Sequence, residues 1–227
     1  ILEKVDFVIS VSEKDMKFFE ENYKIKKSKL ILVKPVGNYP KNLFQPSEQN
    51  SEVNFSFISS MNWYPNVQGA IFFSRKILPK IVKKFPDAKF YLVGKNPVKN
   101  IIKLQKEFPR NIIVTGEVNS VVEYYQKSKC IVIPVFIGPG IKLKVLEAMA
   151  SGVPTVMTSY VAKDYNLLNK GFCIADTPEE FVENIERILT DGEFALDLSK
   201  RQIEWYEKYV VNETENAKKV IRKILER

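Results

Sequence analysis

Six short apolar runs recur between residues 53 and 175: VNFSFIS (53–59), AKFYLVG (88–94), NIIVTG (111–116), CIVIPV (130–135), VPTVMT (153–158) and GFCIA (171–175). Each has the length of a strand, and the gaps between them carry helical patterns. The clearest gap runs from Asn66 to Phe85, where Val67, Ala70, Ile71, Ile77, Ile81 and Phe85 recur at helical spacing. Strands separated by helices pair in parallel through crossovers, which cover both faces of the sheet. Near-continuous apolar runs agree with strands buried on both sides. The expected fold class is therefore α/β, a doubly wound parallel sheet with helices at its C-terminal end.

Ahead of this alternation, VDFVISVS reads as a strand, SEKDMKFFEENY as a helix capped by Ser12 with Asp15 three residues on, and KLILV as another strand. So small a piece cannot close a core, and residues 1–36 are read as the end of a preceding domain. The chain begins at Ile1 without the start of a signal peptide, so a longer parent protein is expected. KPVGNYPKNLFQPSEQNSE (34–52) has three prolines and little hydrophobic period, which makes 37–52 an interdomain linker. Residues 53–211 form the main domain. Within it TPEEFVENIERIL opens on Thr177 as N-cap, Pro178 at the first position and Glu180 completing a capping box. Two more helical stretches are expected, about 193–208 and 212–226, and 212–227 is set apart as a terminal helix.

Composition mostly excludes. There is no histidine, which removes Ser-His-Asp and Cys-His catalysis and every His-ligated metal site. No Asp-x-Asp or carboxylate cluster points to a bound metal. Cys130 and Cys173 lie in separate apolar runs and read as buried free thiols, which fits a reducing compartment. The sequons at Asn54 and Asn212 are read as chance matches. The net charge of +8 is spread over helices that also carry glutamate, without a basic block interleaved with aromatics. Nucleic acid is therefore not expected as a partner, while an anionic membrane surface is a second use for the excess. No apolar run approaches the length of a membrane span.

In an open parallel sheet the ligand sits beyond the carboxyl ends of the strands. The loops there are SSMNWYPN, GKNP, GEVNS and FIGPGIK, and most begin on small residues that let backbone amides approach a ligand. The stretch GPGIKLKVLEAMASGVPTV (138–156) is the most telling. Gly138 and Gly140 permit a tight turn, a helix is expected from about Ile141, and Lys142 and Lys144 fall in its first turn. Cations there oppose the helix dipole unless an anion lies in front of them. Glu147 follows Lys144 by three residues, on the same face and about 5 Å deeper. Spacing alone leaves two readings open: an anion site with a carboxylate for ribose hydroxyls, or an exposed Lys144–Glu147 pair on a turn shaped by glycine. No P-loop is present, and Leu143 stands where a G-x-G-x-x-G fingerprint needs its last glycine. Trp63 and Tyr64 are read as ligand-stacking or packing residues, with neither preferred.

G-x-G-I-K-L-K-V-L-E-A-M-A-S-G-V-P resembles the nucleotide-binding motif of the retaining glycosyltransferases of family 4, the "group 1" transferases with the GT-B fold. FISSMNWYPNVQGAIFF is similar to their strand, loop and helix of the form F-x-G-x-M-x-W-x-P-N, and FYLVGKNP and VTGEVNSVVEYYQKSKCIVIPV continue the likeness. VDFVISVSEKD and the Pro-x-Gly near Val36 resemble the end of the first domain and the hinge. The resemblance spans essentially the whole chain. It implies the donor-binding, Rossmann-like half of a two-domain enzyme. Such an enzyme transfers a sugar from a nucleotide-diphosphate donor, UDP- or GDP-linked, with retention and without a metal or other cofactor. The acceptor, a glycan or glycolipid, would be bound mainly by the other domain, and the isolated fragment would bind donor without efficient transfer. A cytoplasmic location, peripheral to the inner membrane face, is the matching expectation.

By the same resemblance, Lys144 is assigned to the diphosphate and Glu147 to the ribose hydroxyls, the two residues named as catalytic. Lys142, Ile141, Gly138 and Gly140 belong to the phosphate loop. Ser59 and Ser60 lie in the first loop, Gly94 in the second, and the Gly116–Glu117–Val118 turn flanks the base. Two positions depart from the family pattern: Pro139 stands where many members have a sugar-contacting glutamate, and Ser59 and Ser60 stand where glycine is common. Two other readings are carried. A nucleotide-sugar 2-epimerase on the same fold would draw on histidine, which is absent. A non-catalytic binding or scaffold domain would keep the fold and lose nucleotide binding.

Overall fold

The computed structural model describes residues 5–23, 25–44 and 52–226. Six strands form a parallel sheet: β3 (Asn54–Ile58), β4 (Lys89–Val93), β5 (Ile112–Gly116), β6 (Cys130–Ile133), β7 (Thr155–Met157) and β8 (Cys173–Ile174). Their order across the sheet is β5-β4-β3-β6-β7-β8. The chain thus winds outward from β3 to one edge, returns to β6 and winds to the other edge. All five residues of β3 and all four of β6 are buried, as continuous apolar strands require. Cys130 and Cys173 are buried free thiols.

Helices α2 (Tyr64–Phe72) and α3 (Leu78–Lys84) follow β3. The expected helix over 66–85 is present, but a π turn at Phe73–Ile77 interrupts it. Pro79 has no N–H to give to the carbonyl of residue 75, so the turn ahead of it widens. Then come α4 (Lys99–Glu107), α5 (Val122–Lys127), α6 (Leu143–Ser151), α7 (Ser159–Ala162) and α8 (Pro178–Thr190). The capping box at α8 forms as read, with Thr177 and Glu180 satisfying each other's backbone N–H groups. Asn54, the first sequon, is buried in β3.

One expectation is corrected at the end of the chain. Instead of two helices, a single 34-residue helix α9 runs from Gly192 to Leu225. The junction VVNETEN holds neither glycine nor proline, so nothing there stops a helix. Gln202 pins α9 to the sheet: it donates to Val153 O at 2.8 Å and accepts from Thr155 N at 2.9 Å. Further along, Tyr209 Oη donates to Pro35 O at 3.1 Å and Asn216 Nδ2 to Leu32 O at 3.4 Å.

Those contacts reach the N-terminal piece, in which β1 (Val8–Ser10) and β2 (Leu30–Leu32) pair in parallel around α1 (Glu13–Tyr23). Ser12 Oγ accepts from Asp15 N at 3.0 Å, the expected cap. Residues 35–44 form no helix or strand but are docked: Leu43 N donates to Ser151 O at 2.7 Å at the end of α6. The rest of the linker, 45–51, lies outside the described residues. Among the described residues no helix is long and apolar enough to cross a membrane.

Candidate functional site

The reversal of winding between β3 and β6 makes the loops after them part company, and a crevice opens at the carboxyl end of the sheet. The predicted site residues gather there. Ser59 follows β3, its N–H donating to Val93 O at 2.8 Å. Gly94 follows β4 and donates to Gly116 O at 3.1 Å. A side chain at Gly94 would place its Cβ 1.8 Å from Ser59 O, so only glycine lets these loops lie so close. Gly116 ends β5 with positive φ and open space over its Cα, and Val118 beyond it packs on the core. Gly138 has φ +110°, and a Cβ there would meet Pro65 Cγ at 2.5 Å.

The helix after this loop starts at Leu143, not at Ile141, with Lys142 as its N-cap residue. That shift corrects the expected helix start. Lys142 lines the crevice, but its ammonium turns back onto its own loop and donates to Gly138 O at 2.7 Å and Gly140 O at 2.6 Å. Asp164 Oδ2 stands 3.5 Å away, and the Tyr160 ring centroid 4.8 Å. Lys142 is only 8% exposed. Burial lowers its pKa, and the Asp164 charge offsets part of that. Tyr160 Oη also donates to Gly138 O, at 2.6 Å, so the loop is tied down twice.

Lys144 is placed differently. Its ammonium crosses to the β3 loop, donating to Ser59 Oγ at 2.6 Å and Asn66 Oδ1 at 2.5 Å. Among the described residues it forms no ion pair, and its nearest charged influence is Lys142, which repels it. Burial and that repulsion bring its pKa from 10.5 down to about 7. In the first turn of α6, Val145 N donates to Lys142 O at 2.9 Å, while the N–H groups of Leu143 and Lys144 ahead of it have no intrahelical acceptor. Glu147 does not pair with Lys144. It is half-buried against Tyr125, which hydrogen-bonds to it, and burial raises its pKa. The open reading of an exposed Lys144–Glu147 pair is thereby removed.

Sequence reasoning missed Asn66, Tyr125, Asp164 and Tyr160. Asn66 carried a local signal, a lone amide on the apolar face of a helix start, whereas the others meet the site only through the fold. Ser60, Pro139 and Ile141 line a cavity of about 300 Å³ between the two loops, together with Trp63 and Leu143. Trp63 and Tyr64 are exposed, at 52% and 60%, and are not core residues.

Comparisons with known proteins agree with this architecture. A glycosyltransferase from Rickettsia africae matches with a TM-score of 0.76 at 14% identity, over 97% of this chain and 64% of that one. Anabaena HepE, solved in complex with UDP and glucose, matches with a TM-score of 0.71 at 12% identity, over 96% of this chain and 63% of that one. An uncharacterized 44.6 kDa protein in the cps region of Klebsiella pneumoniae is 29% identical over 112 residues, 47% of this chain. The chain spans just under two thirds of the two solved structures, and its match covers 29% of the Klebsiella protein. The sequence model for "Glycosyl transferases group 1" matches residues 52–191, which includes the whole sheet and the crevice. The chain therefore belongs to the group 1 glycosyl transferases.

Proposed function

We propose that this chain is the donor-binding half of a transferase that moves a sugar from a nucleotide-diphosphate donor to an acceptor glycan or glycolipid. Transfer proceeds with retention and without a metal. One observation carries the reading: Lys144, half-buried at a helix mouth and held by two neutral oxygens, with a second lysine beside it and, among the described residues, no ion pair to a carboxylate. A cation so placed costs stability until an anion arrives.

The diphosphate would lie against the Lys144 ammonium and the first amides of α6, with Glu147 taking the ribose hydroxyls one turn deeper and the base near Gly116. When the glycosidic bond breaks, charge grows on the departing diphosphate, and preorganised N–H dipoles and an ammonium stabilise that charge without reorganising. Gly94 and Gly138 keep the surrounding backbone close enough for this geometry. HepE, whose structure contains UDP and glucose, supports the reading through fold alone.

Calorimetric titration of the chain with UDP, GDP and ADP tests it, repeated on Lys144→Ala and Glu147→Ala. Binding of one nucleotide, weakened tenfold or more by each change (about 1.4 kcal/mol), is expected. Failure of all three to bind would favour a scaffold role for this domain.

A further inference from the structure

We infer that the donor sugar carries a methyl group, as an acetamido or a 6-deoxy sugar does, in place of a hydroxyl. The inference rests on the donor-binding reading above and concerns the roughly 300 Å³ cavity beside Lys144. Lys144 lines this cavity, whereas Glu147, which interacts with Tyr125 and Tyr39, does not. A diphosphate at Lys144 with its ribose toward Glu147 therefore sends its sugar into the cavity.

The walls are mostly apolar: Trp63, Pro65, Val135, Pro139, Ile141 and Leu143. The polar side chains among them are largely spent. Ser59 Oγ and Asn66 Oδ1 accept from Lys144, and Asn66 Nδ2 donates to Ser60 O at 2.9 Å. Lys142 is occupied by the carbonyls of Gly138 and Gly140. The Ser60 hydroxyl, the O–H of Ser59 and the Trp63 indole N–H are left to read a sugar, and among the described residues no Asp or Glu lines the cavity. A fully hydroxylated hexose has several donors that need acceptors, and an unpaired hydroxyl desolvated against the buried Pro65 or Val135 is costly. A methyl group gains from the same walls. The acetamido carbonyl in addition suits a site offering an indole N–H and serine hydroxyls as donors.

The test measures binding of donor pairs that differ in one group. These are UDP-glucose against UDP-N-acetylglucosamine, UDP-glucose against UDP-6-deoxyglucose, and GDP-mannose against GDP-rhamnose. On the nucleotide that binds, the methyl-bearing member of at least one pair should bind roughly tenfold tighter. The pair that responds tells the acetamido from the 6-deoxy source. Trp63→Ala, at an exposed position that does not threaten folding, should bring that ratio toward one. Equal or tighter binding of the hydroxylated sugar in every pair overturns the inference while leaving the donor-binding reading intact. A ratio unchanged in Trp63→Ala overturns the placement of the sugar in this cavity. Absence of any nucleotide binding sinks the donor-binding reading itself and this inference with it.

Discussion

Lys142 and Lys144 stand two residues apart at the same helix mouth, yet their surroundings are opposite. Lys142 is enclosed by carbonyl oxygens, an aromatic face and the Asp164 carboxylate, all supplied by the protein. Lys144 also lies over an aromatic ring, that of Phe57 at 5.2 Å, but it receives two neutral oxygens and, among the described residues, no counter-charge. The difference separates two uses of a buried cation. Lys142 completes the structure of the glycine loop, while Lys144 is the cation that the proposed diphosphate would neutralise.

The comparison breaks most directly through stability. Lys142→Met leaves Asp164 almost buried with, among the described residues, only Lys14 paired to it, and frees two loop carbonyls, so a loss of about 2–3 kcal/mol is expected. Urea unfolding at neutral pH measures it, and an unchanged midpoint would mean that the loop does not need its lysine. Lys144→Met should act in the reverse sense when no nucleotide is present. Its folded pKa of about 7 lies below 10.5, so between those values the unfolded chain binds more protons than the native one. The cost of burying the charge is present in full below pH 7 and is relieved as pH climbs toward 10.5. The variant should therefore melt above the parent near pH 6, by a margin on the order of 1 kcal/mol that narrows above about pH 8. A variant less stable than its parent at low pH would contradict the uncompensated cation.

Binding sharpens the same contrast. A diphosphate selects the charged form of Lys144, so proton uptake should accompany binding at neutral pH. Affinity should then be level just below pH 7 and fall above it, by at most about tenfold per pH unit. Titrations in buffers of different ionisation enthalpy, with Lys144→Met as the control that loses the trend, check this. The smallest effect is expected at Lys14, which reaches Asp164 from α1 at 2.9 Å but is 65% exposed. Lys14→Ala should cost about 0.5 kcal/mol or less by chemical unfolding. A larger loss would show the N-terminal piece to be a working part of the loop's support.

Much of the architecture was legible because local chemistry decides it. Each strand of the sheet was visible as an apolar run, and Thr177 with Glu180 announced the start of α8. The junction near Asn212 misled, since polar residues weaken an apolar stripe without ending a helix. Of the site, the glycines, Lys144 and Glu147 stood out by spacing. Lys142 was placed in the same first helical turn as Lys144, because a two-residue step says nothing about where the helix will begin.

By itself the sequence determined the parallel α/β sheet, the loops at its carboxyl edge and the helix mouth where cations collect. These follow from periodicity, turn residues and caps, all of which act within a few positions of the chain. Only the tertiary structure decided which cation remained uncompensated. Asp164, Tyr160, Ser59 and Asn66 come from other elements, with Ser59 85 residues from Lys144 in the chain. Charge compensation is a matter of distance in space and burial, and neither can be read from neighbours in sequence.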